Sequence, residues 1–296
     1  MVPSFVSSSS SSWLEIDPNS DFSLQNFPFG VFSVSSSSDN DNVPRCASAI
    51  GSYVIDLHEL ANENIFDDYL PDARAVFGSC SLNAFMSKPK CIWTKVRQSL
   101  IHLFLLGGED VRLSSNIELQ KRVLIPMNDQ NVILHLPAVI GDYTDFYSSK
   151  EHATNVGTMF RGKDNALNAN WLSLPVGYHG RSSSVFVSGT DIVRPSGQIL
   201  TPQNDGPPKV SLEPSKKLDF ELEMAFFIGG QPNIPGSSIS MKNANDYIFG
   251  FTLMNDWSGK IHHLYNFIVF IQNLQYISLY PPNLTFSNHC TLSSII

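Results

Sequence analysis

The chain carries no lysine or arginine before Arg45, and no Asp, Glu, Lys or Arg after Lys260. The first absence excludes two kinds of leader. A secretory signal opens on positive charge before its apolar core, and an organellar transit peptide is rich in arginine. The cytosol is therefore the expected location. Serine dominates the opening MVPSFVSSSSSSWLEIDPNSDF, so residues 1–21 read as a disordered, solvated tail. The four cysteines, Cys46, Cys80, Cys91 and Cys290, show neither CxxC spacing nor the density of a disulfide framework. They read as free thiols in a reducing compartment. Basic residues number 19 against 27 acidic ones, for a formal charge of −8. With no Lys/Arg cluster to track phosphates, nucleic acid is excluded as a partner. A membrane span is excluded too: near YNFIVFI, the residues Asn266, Gln272, Asn273 and Gln275 interrupt any apolar run well short of the roughly 18 residues required.

What is present suffices for a well-buried core. The 296 residues are 42% hydrophobic and 11% aromatic, enough for two domains. From Phe22 to about Leu60, apolar runs split by SSSSDNDNVP read as small β structure. Trp93, Val96, Leu100, Leu103 and Phe104 fall at helical spacing, with Gly107-Gly108 as a stop. NIELQKRVL (residues 116–124) suggests a second, shorter helix. These segments predict a β-plus-helix N-terminal domain over residues 22–136. Strand-like runs between Gly and Pro turns then predict a sheet-dominated domain over 137–258. The fold class expected is mainly β with some α.

Candidate chemistry concentrates in three places. GDYTDFYSSKEHATN (Gly141 to Asn155) crowds aspartates, tyrosines and a histidine behind the apolar run VILHLPAVI. In DFELEMAFF, strand alternation sends Phe220, Leu222 and Met224 one way and Glu221 and Glu223 the other. An ExE pair alone is more commonly a solvent-facing strand. Carboxylates recur, however, at Asp145 and at Asp256, each after an apolar run. Converging anions repel by about 4 kcal/mol per pair at 4 Å and an effective dielectric near 20, so convergence demands a cation or protonation. All-oxygen ligands would select calcium or magnesium over zinc. Spacing alone leaves convergence open.

The ordered motifs GDYTDFYSSKEHATNVGTMFRGK, LPVGYHGRSSS, LDFELEMAFF and LMNDWS, within residues 20–258, resemble the fumarylacetoacetate hydrolase family. The resemblance implies a small SH3-like N-terminal domain before a mixed β-sandwich or roll. It implies a homodimer and metal-dependent hydrolysis of a small diketo acid, 4-fumarylacetoacetate, to fumarate and acetoacetate in tyrosine and phenylalanine catabolism. It assigns Asp145, Glu221, Glu223 and Asp256 as metal ligands, with Ca2+ and Mg2+ as cofactors. It assigns Tyr147, Arg161 and Tyr178 to substrate binding and His152 to water activation. An acylpyruvate hydrolase of the same fold is the alternative activity.

Beyond NDWS the sequence departs from the family pattern. Residues 259–296 read as a divergent tail, with the composition of translated non-coding sequence, that replaces the family's second half. A retained intron is the expected origin, and adjacent His262-His263 carry no metal motif. The expectation that follows is an incomplete catalytic domain, as in a catalytically silent isoform. It would lack the carboxylate that orients His152 and the donors that stabilise an oxyanion.

Overall fold

The computed structural model describes residues 11–35 and 43–259, together with the backbone of 292–295. Among these, the chain forms two units. The first takes in described residues through Val139 and the stretch Phe226–Phe251; the second takes in Ile140–Ala225 and residues 252–259 and 292–295.

In the first unit, β1 (Phe29–Val34), β2 (Arg45–Ile50) and β3 (Tyr53–Asp56) form an antiparallel meander. Asp56 ends β3 and starts helix α1 (Leu57–Asn62), its carboxylate accepting the backbone N–H groups of His58 and Glu59 at 3.0 and 3.1 Å. An Asp in extended conformation suits that cap, which is typically worth about 1 kcal/mol. The same carboxylate, fully buried, accepts Arg45 Nε at 2.6 Å from the neighbouring strand. Two short helices follow, α2 (Ala73–Phe77) and α3 (Asn83–Met86). Helix α4 (Lys90–Phe104) buries Trp93, Val96, Leu100, Leu103 and Phe104, the stripe expected from spacing. Helix α5 (Ile117–Val123) is capped by Asn116 and leads directly into β4 (Leu124–Pro126); β5 (Val132–His135) follows. The completed sheet has the order β4-β3-β2-β1-β5, antiparallel throughout. Helices α1 to α3 were not expected from the sequence, so this unit is more helical than the pattern suggested.

The core of this unit is strongly aromatic. Phe29, Phe77, Phe85, Trp93 and Phe249 meet at centroid distances of 5.1–6.0 Å. Trp93 donates its indole N–H to the Phe85 carbonyl at 3.0 Å, which satisfies the one polar atom it buries.

The serine-rich start needs a correction. Residues 11–21, expected to belong to a disordered tail, are placed: Ser12 bridges Leu105, and the Trp13 ring stacks on Phe104 at 5.7 Å. The Trp13 indole also donates to the Leu103 carbonyl at 2.8 Å. One large aromatic side chain anchors a segment whose other residues are mostly polar. Residues 1–10 lie outside the described residues.

The second unit begins with β6 (Thr144–Phe146), helix α6 (Lys150–Arg161) and β7 (Gly177–His179). The hairpin partners β8 (Ser196–Thr201) and β9 (Lys209–Pro214) pair with each other. The chain then runs through β10 (Leu218–Asp219), β11 (Leu222–Ile228), the one-turn helix α7 (Met241–Ala244), β12 (Ile248–Asn255) and β13 (Ser258–Gly259), with α7 and the adjoining parts of β11 and β12 falling in the first unit's stretch Phe226–Phe251. A last strand, β14 (Leu292–Ile295), pairs antiparallel with β6, setting Ser294 opposite Asp145. The sheet order is β12-β11-β14-β6-β7. These four residues of the expected divergent tail therefore take a place in the sheet; an unpaired strand edge offers backbone donors and acceptors to any segment that reaches it. Gly259, the first residue of that tail, lies in β13, and 260–291 and 296, including His262-His263, lie outside the described residues. The architecture is mixed α/β, and among the described residues no helix is long and apolar enough to cross a membrane.

Candidate metal centre

The site grows from β6 and its partner β7. Antiparallel pairing sets Asp145 opposite Tyr178, Thr144 opposite His179 and Phe146 opposite Gly177. Asp145 is 8% exposed. Burial holds its carboxyl above the usual range, a hydrogen bond from the Tyr178 hydroxyl opposes that, and the charge of Glu221 adds to it. Burial likewise pushes the Tyr178 phenol up, reinforced by the Asp145 charge.

Glu223 on β11 and Asp256, one residue past β12, are 8% and 7% exposed. One carboxylate oxygen from each of Asp145, Glu223 and Asp256 lies within 4.8 Å of the other two. Three anions cannot share that space at neutral pH uncompensated: each pair at about 4.8 Å costs on the order of 3–4 kcal/mol at an effective dielectric near 20. An all-carboxylate set, buried and acceptor-only, fits a hard divalent cation.

Glu221 stands apart from this group. It lies between β10 and β11, where its carbonyl accepts the Asp256 N–H at 2.9 Å and its own N–H donates to Asn255 Oδ1 at 3.1 Å. It is half-buried, and its charge reaches Asp145. Strand alternation placed both glutamates on one face, but the strand breaks at Glu221. A solvent-facing strand is excluded at Glu223, since Phe220 and Leu222 are the exposed residues here.

The other candidates cluster after β6. Ser149 caps α6 by accepting the His152 N–H at 3.2 Å, which puts His152 in the first turn, exposed. Its ring meets that of Tyr147 edge-on, with centroids 5.8 Å apart at 81°. The Tyr147 hydroxyl donates to the Ala153 carbonyl at 3.3 Å. Arg161 closes α6 at the far end, donating through Nε to the Asn165 carbonyl at 3.1 Å and through Nη2 to the Ala166 carbonyl at 2.6 Å.

Three further residues shape the site. The Tyr143 ring is buried, and its phenol is pushed up by burial and by the charges of Asp256, Asp145 and Glu223. A Cβ at Gly177 would come within 2.7 Å of the Asp145 carbonyl, and one at Gly180 within 2.0 Å of the Tyr143 ring. The readable signal was VGYHGR itself: two glycines flanking a Tyr-His pair mark a strand that must approach its neighbour closely. Elsewhere, a cleft of about 520 Å³ in the first unit is lined by Glu63, Arg112, Asn116 and Ile117 among others. Its arginine is already held by both Asp110 oxygens, at 2.9 and 2.8 Å.

The buried trio of carboxylates, Asp145 on β6, Glu223 on β11 and Asp256 just past β12, forms a cluster that could hold a metal ion. The chain belongs to the fumarylacetoacetate hydrolase family. Residues 25–137 match the model described as Fumarylacetoacetase N-terminal, and residues 142–270 match Fumarylacetoacetate (FAA) hydrolase C-terminal. Among curated relatives, the chain is 48% identical to a fumarylacetoacetase of Caenorhabditis elegans, covering 84% of this chain and 57% of the relative. It is 45% identical to one of Dictyostelium discoideum, covering 91% and 58%, and 44% identical to one of Homo sapiens, covering 91% and 59%. The chain thus spans well under two thirds of the length of these relatives.

Proposed function

We propose that this chain carries a fumarylacetoacetase site, hydrolysing a carbon–carbon bond of 4-fumarylacetoacetate to give fumarate and acetoacetate. The observation that carries the reading is the buried trio of Asp145, Glu223 and Asp256, backed by the names of relatives at 44–48% identity. The trio would hold Ca2+ or Mg2+, with Glu221 as a further ligand from its half-buried place beside Asp145. A bound ion polarises the diketone oxygens and steadies enolate charge.

The chain's own groups do the rest. His152 takes a proton from water, whose oxygen bonds to the ketone carbon next to the alkene. The bond from that carbon to the central methylene breaks, and the methylene carries the electron pair away as an enolate. Protonation makes it the methyl of acetoacetate; the attacked carbon becomes a carboxylate of fumarate. Tyr147 packs edge-on against the His152 ring and keeps it from swinging. Arg161 spends two N–H groups on loop carbonyls, and its remaining fork suits a substrate carboxylate. Tyr178 lines the same pocket from its seat beside Asp145.

The wider reading places an SH3-like domain over residues 22–136 and an incomplete mixed β-sandwich or roll over 137–258. It adds a homodimer, a cytosolic location, and no nucleic-acid partner. The acidic balance of 27 Asp and Glu against 19 Lys and Arg supports the last of these.

The test follows loss of the substrate's diketone absorbance by the purified chain with Ca2+ or Mg2+ present. The expected result is turnover, slow where His152 lacks an orienting carboxylate, that His152→Ala lowers further. No turnover, or turnover indifferent to His152→Ala, refutes the assignment.

A further inference from the structure

We propose that Trp171 is a positioning residue for His152, acting through Tyr147. The inference rests on the water-activating role proposed above for His152 and extends it to a residue with no assigned part.

The connection from α6, which ends at Arg161, to β7, which starts at Gly177, is long, and most connections between elements are far shorter. Its first part is held by Arg161, through the carbonyls of Asn165 and Ala166. Further on, the Trp171 indole N–H donates to the Tyr147 carbonyl at 3.0 Å, reaching back 24 residues along the chain to the end of β6. Trp171 is half-buried, whereas its neighbours Leu172 and Leu174 are 69% and 56% exposed. Apolar burial therefore does not order this stretch. A directional bond does: the indole N–H seeks a partner as its ring turns inward, and the Trp171 backbone N–H seats the turn by donating to the Asn168 carbonyl at 3.0 Å.

Tyr147 is thus tied to that connection through both main-chain polar groups, since its N–H donates to the Val176 carbonyl at 2.8 Å. The carbonyl that Trp171 holds belongs to the planar peptide joining Tyr147 to Ser148, one residue before the Ser149 cap that accepts the His152 N–H. The Tyr147 ring then meets the His152 ring edge-on at 5.8 Å, and its hydroxyl donates to the Ala153 carbonyl at 3.3 Å. Among the described residues no hydrogen bond reaches the His152 imidazole, so the Tyr147 ring is what orients it. Trp171 fixes the peptide, the peptide fixes the tyrosine, and the tyrosine fixes the base. Displacing a reacting group by about 1 Å can cost on the order of 10²-fold in rate.

The test is proton NMR of the histidine ring C–H groups in chelator, at a pH high enough to keep imidazoles neutral. The chains are native, Trp171→Phe, Tyr147→Leu, their double variant and Leu172→Ala. The difference between native and Tyr147→Leu gives the ring-current shift that Tyr147 imposes on His152. Trp171→Phe keeps an aromatic ring but deletes the N–H, and should remove most of that shift. In the Tyr147→Leu background it should add nothing. His58 and His102, in the first unit, should keep their resonances, and Leu172→Ala should leave His152 as in the native chain. The melt of Trp171→Phe should stay within a few degrees of native, while with Ca2+ present its kcat should fall about tenfold or more. A His152 resonance that keeps most of its shift in Trp171→Phe overturns the proposal, as does any smaller fall in kcat. So does a Trp171→Phe chain that fails to fold, or a Leu172→Ala chain that behaves like it, since either makes the role structural. A native chain without turnover fails the hydrolase reading alone; the resonances need neither substrate nor cation and still decide the positioning.

Discussion

Asp145 and Tyr178 face each other across β6 and β7, and the tyrosine hydroxyl hydrogen-bonds the aspartate carboxylate. The pairing register, not the length of either side chain, brings them together. That register depends on Gly177, whose added Cβ would sit 2.7 Å from the Asp145 carbonyl and 2.9 Å from the Phe146 ring. Gly177→Ala should therefore push the strands apart and abolish cation binding. Gly141→Ala, where a Cβ meets nothing within 4 Å, should leave it unchanged. Calorimetry of both variants checks this, and equal behaviour would show that register does not control the site.

The carboxylate trio should respond to charge removal with opposite signs, depending on the cation. In chelator, Glu223→Gln relieves repulsion worth on the order of 3–4 kcal/mol per pair, so the melting temperature should rise. In millimolar Ca2+ the native chain should gain stability by mass action, and the variant should gain almost none. Differential scanning calorimetry under both conditions gives the answer. A variant less stable than native in chelator contradicts the account of the site as a mutually repelling group.

Arg45 and Asp56 tie two strands to the start of α1. With Asp56 fully buried and its partner 2.6 Å away, Asp56→Ala strands a guanidinium and uncaps the helix. Removing one partner of a buried pair typically costs about 3–5 kcal/mol. A shift in urea midpoint of less than about 1 kcal/mol equivalent would show that the pair is replaceable.

Cys46 should be chemically silent. Its thiol is fully buried, and burial, with smaller contributions from Asp56 and Cys80, pushes its pKa from 9.0 up to about 12. Little thiolate exists at neutral pH, so peptide mapping after alkylation should find exposed Cys80 and Cys91 modified and Cys46 intact. A thiol whose folded pKa is raised contributes stability that is complete below the unfolded value and lost as pH climbs through the folded one. The native state should lose that contribution between pH 9.0 and about 12. Rapid alkylation of Cys46 at pH 7 would contradict its placement.

Long amphipathic elements were readable from the sequence, and short ones were not. Helix α4 declared itself because its five buried residues keep helical spacing over 15 residues. Helices α1 to α3 span only 4–6 residues each, too few for a 3.6-residue period to show. Trp13 sat in a serine run, and nothing local announces that Phe104 waits to stack on it. At the site, the recurrence of acids after apolar runs pointed to Asp145 and Asp256. The difference between Glu221 and Glu223 was hidden, because alternation assumes an unbroken strand and this one starts at Leu222. The burial of Tyr143 escaped notice because its ring packs closely on Gly180, a neighbour that only the fold supplies.

The most direct test of the central claim couples occupancy to turnover in one titration. Chelator-stripped protein receives Ca2+ in steps while bound ion and the rate of diketone loss are recorded together, for the native chain and for Glu223→Gln. The account predicts a rate that rises in proportion to one bound ion per chain, and neither binding nor rate in the variant. Full turnover in stripped protein, or a filled site with no change in rate, would contradict it.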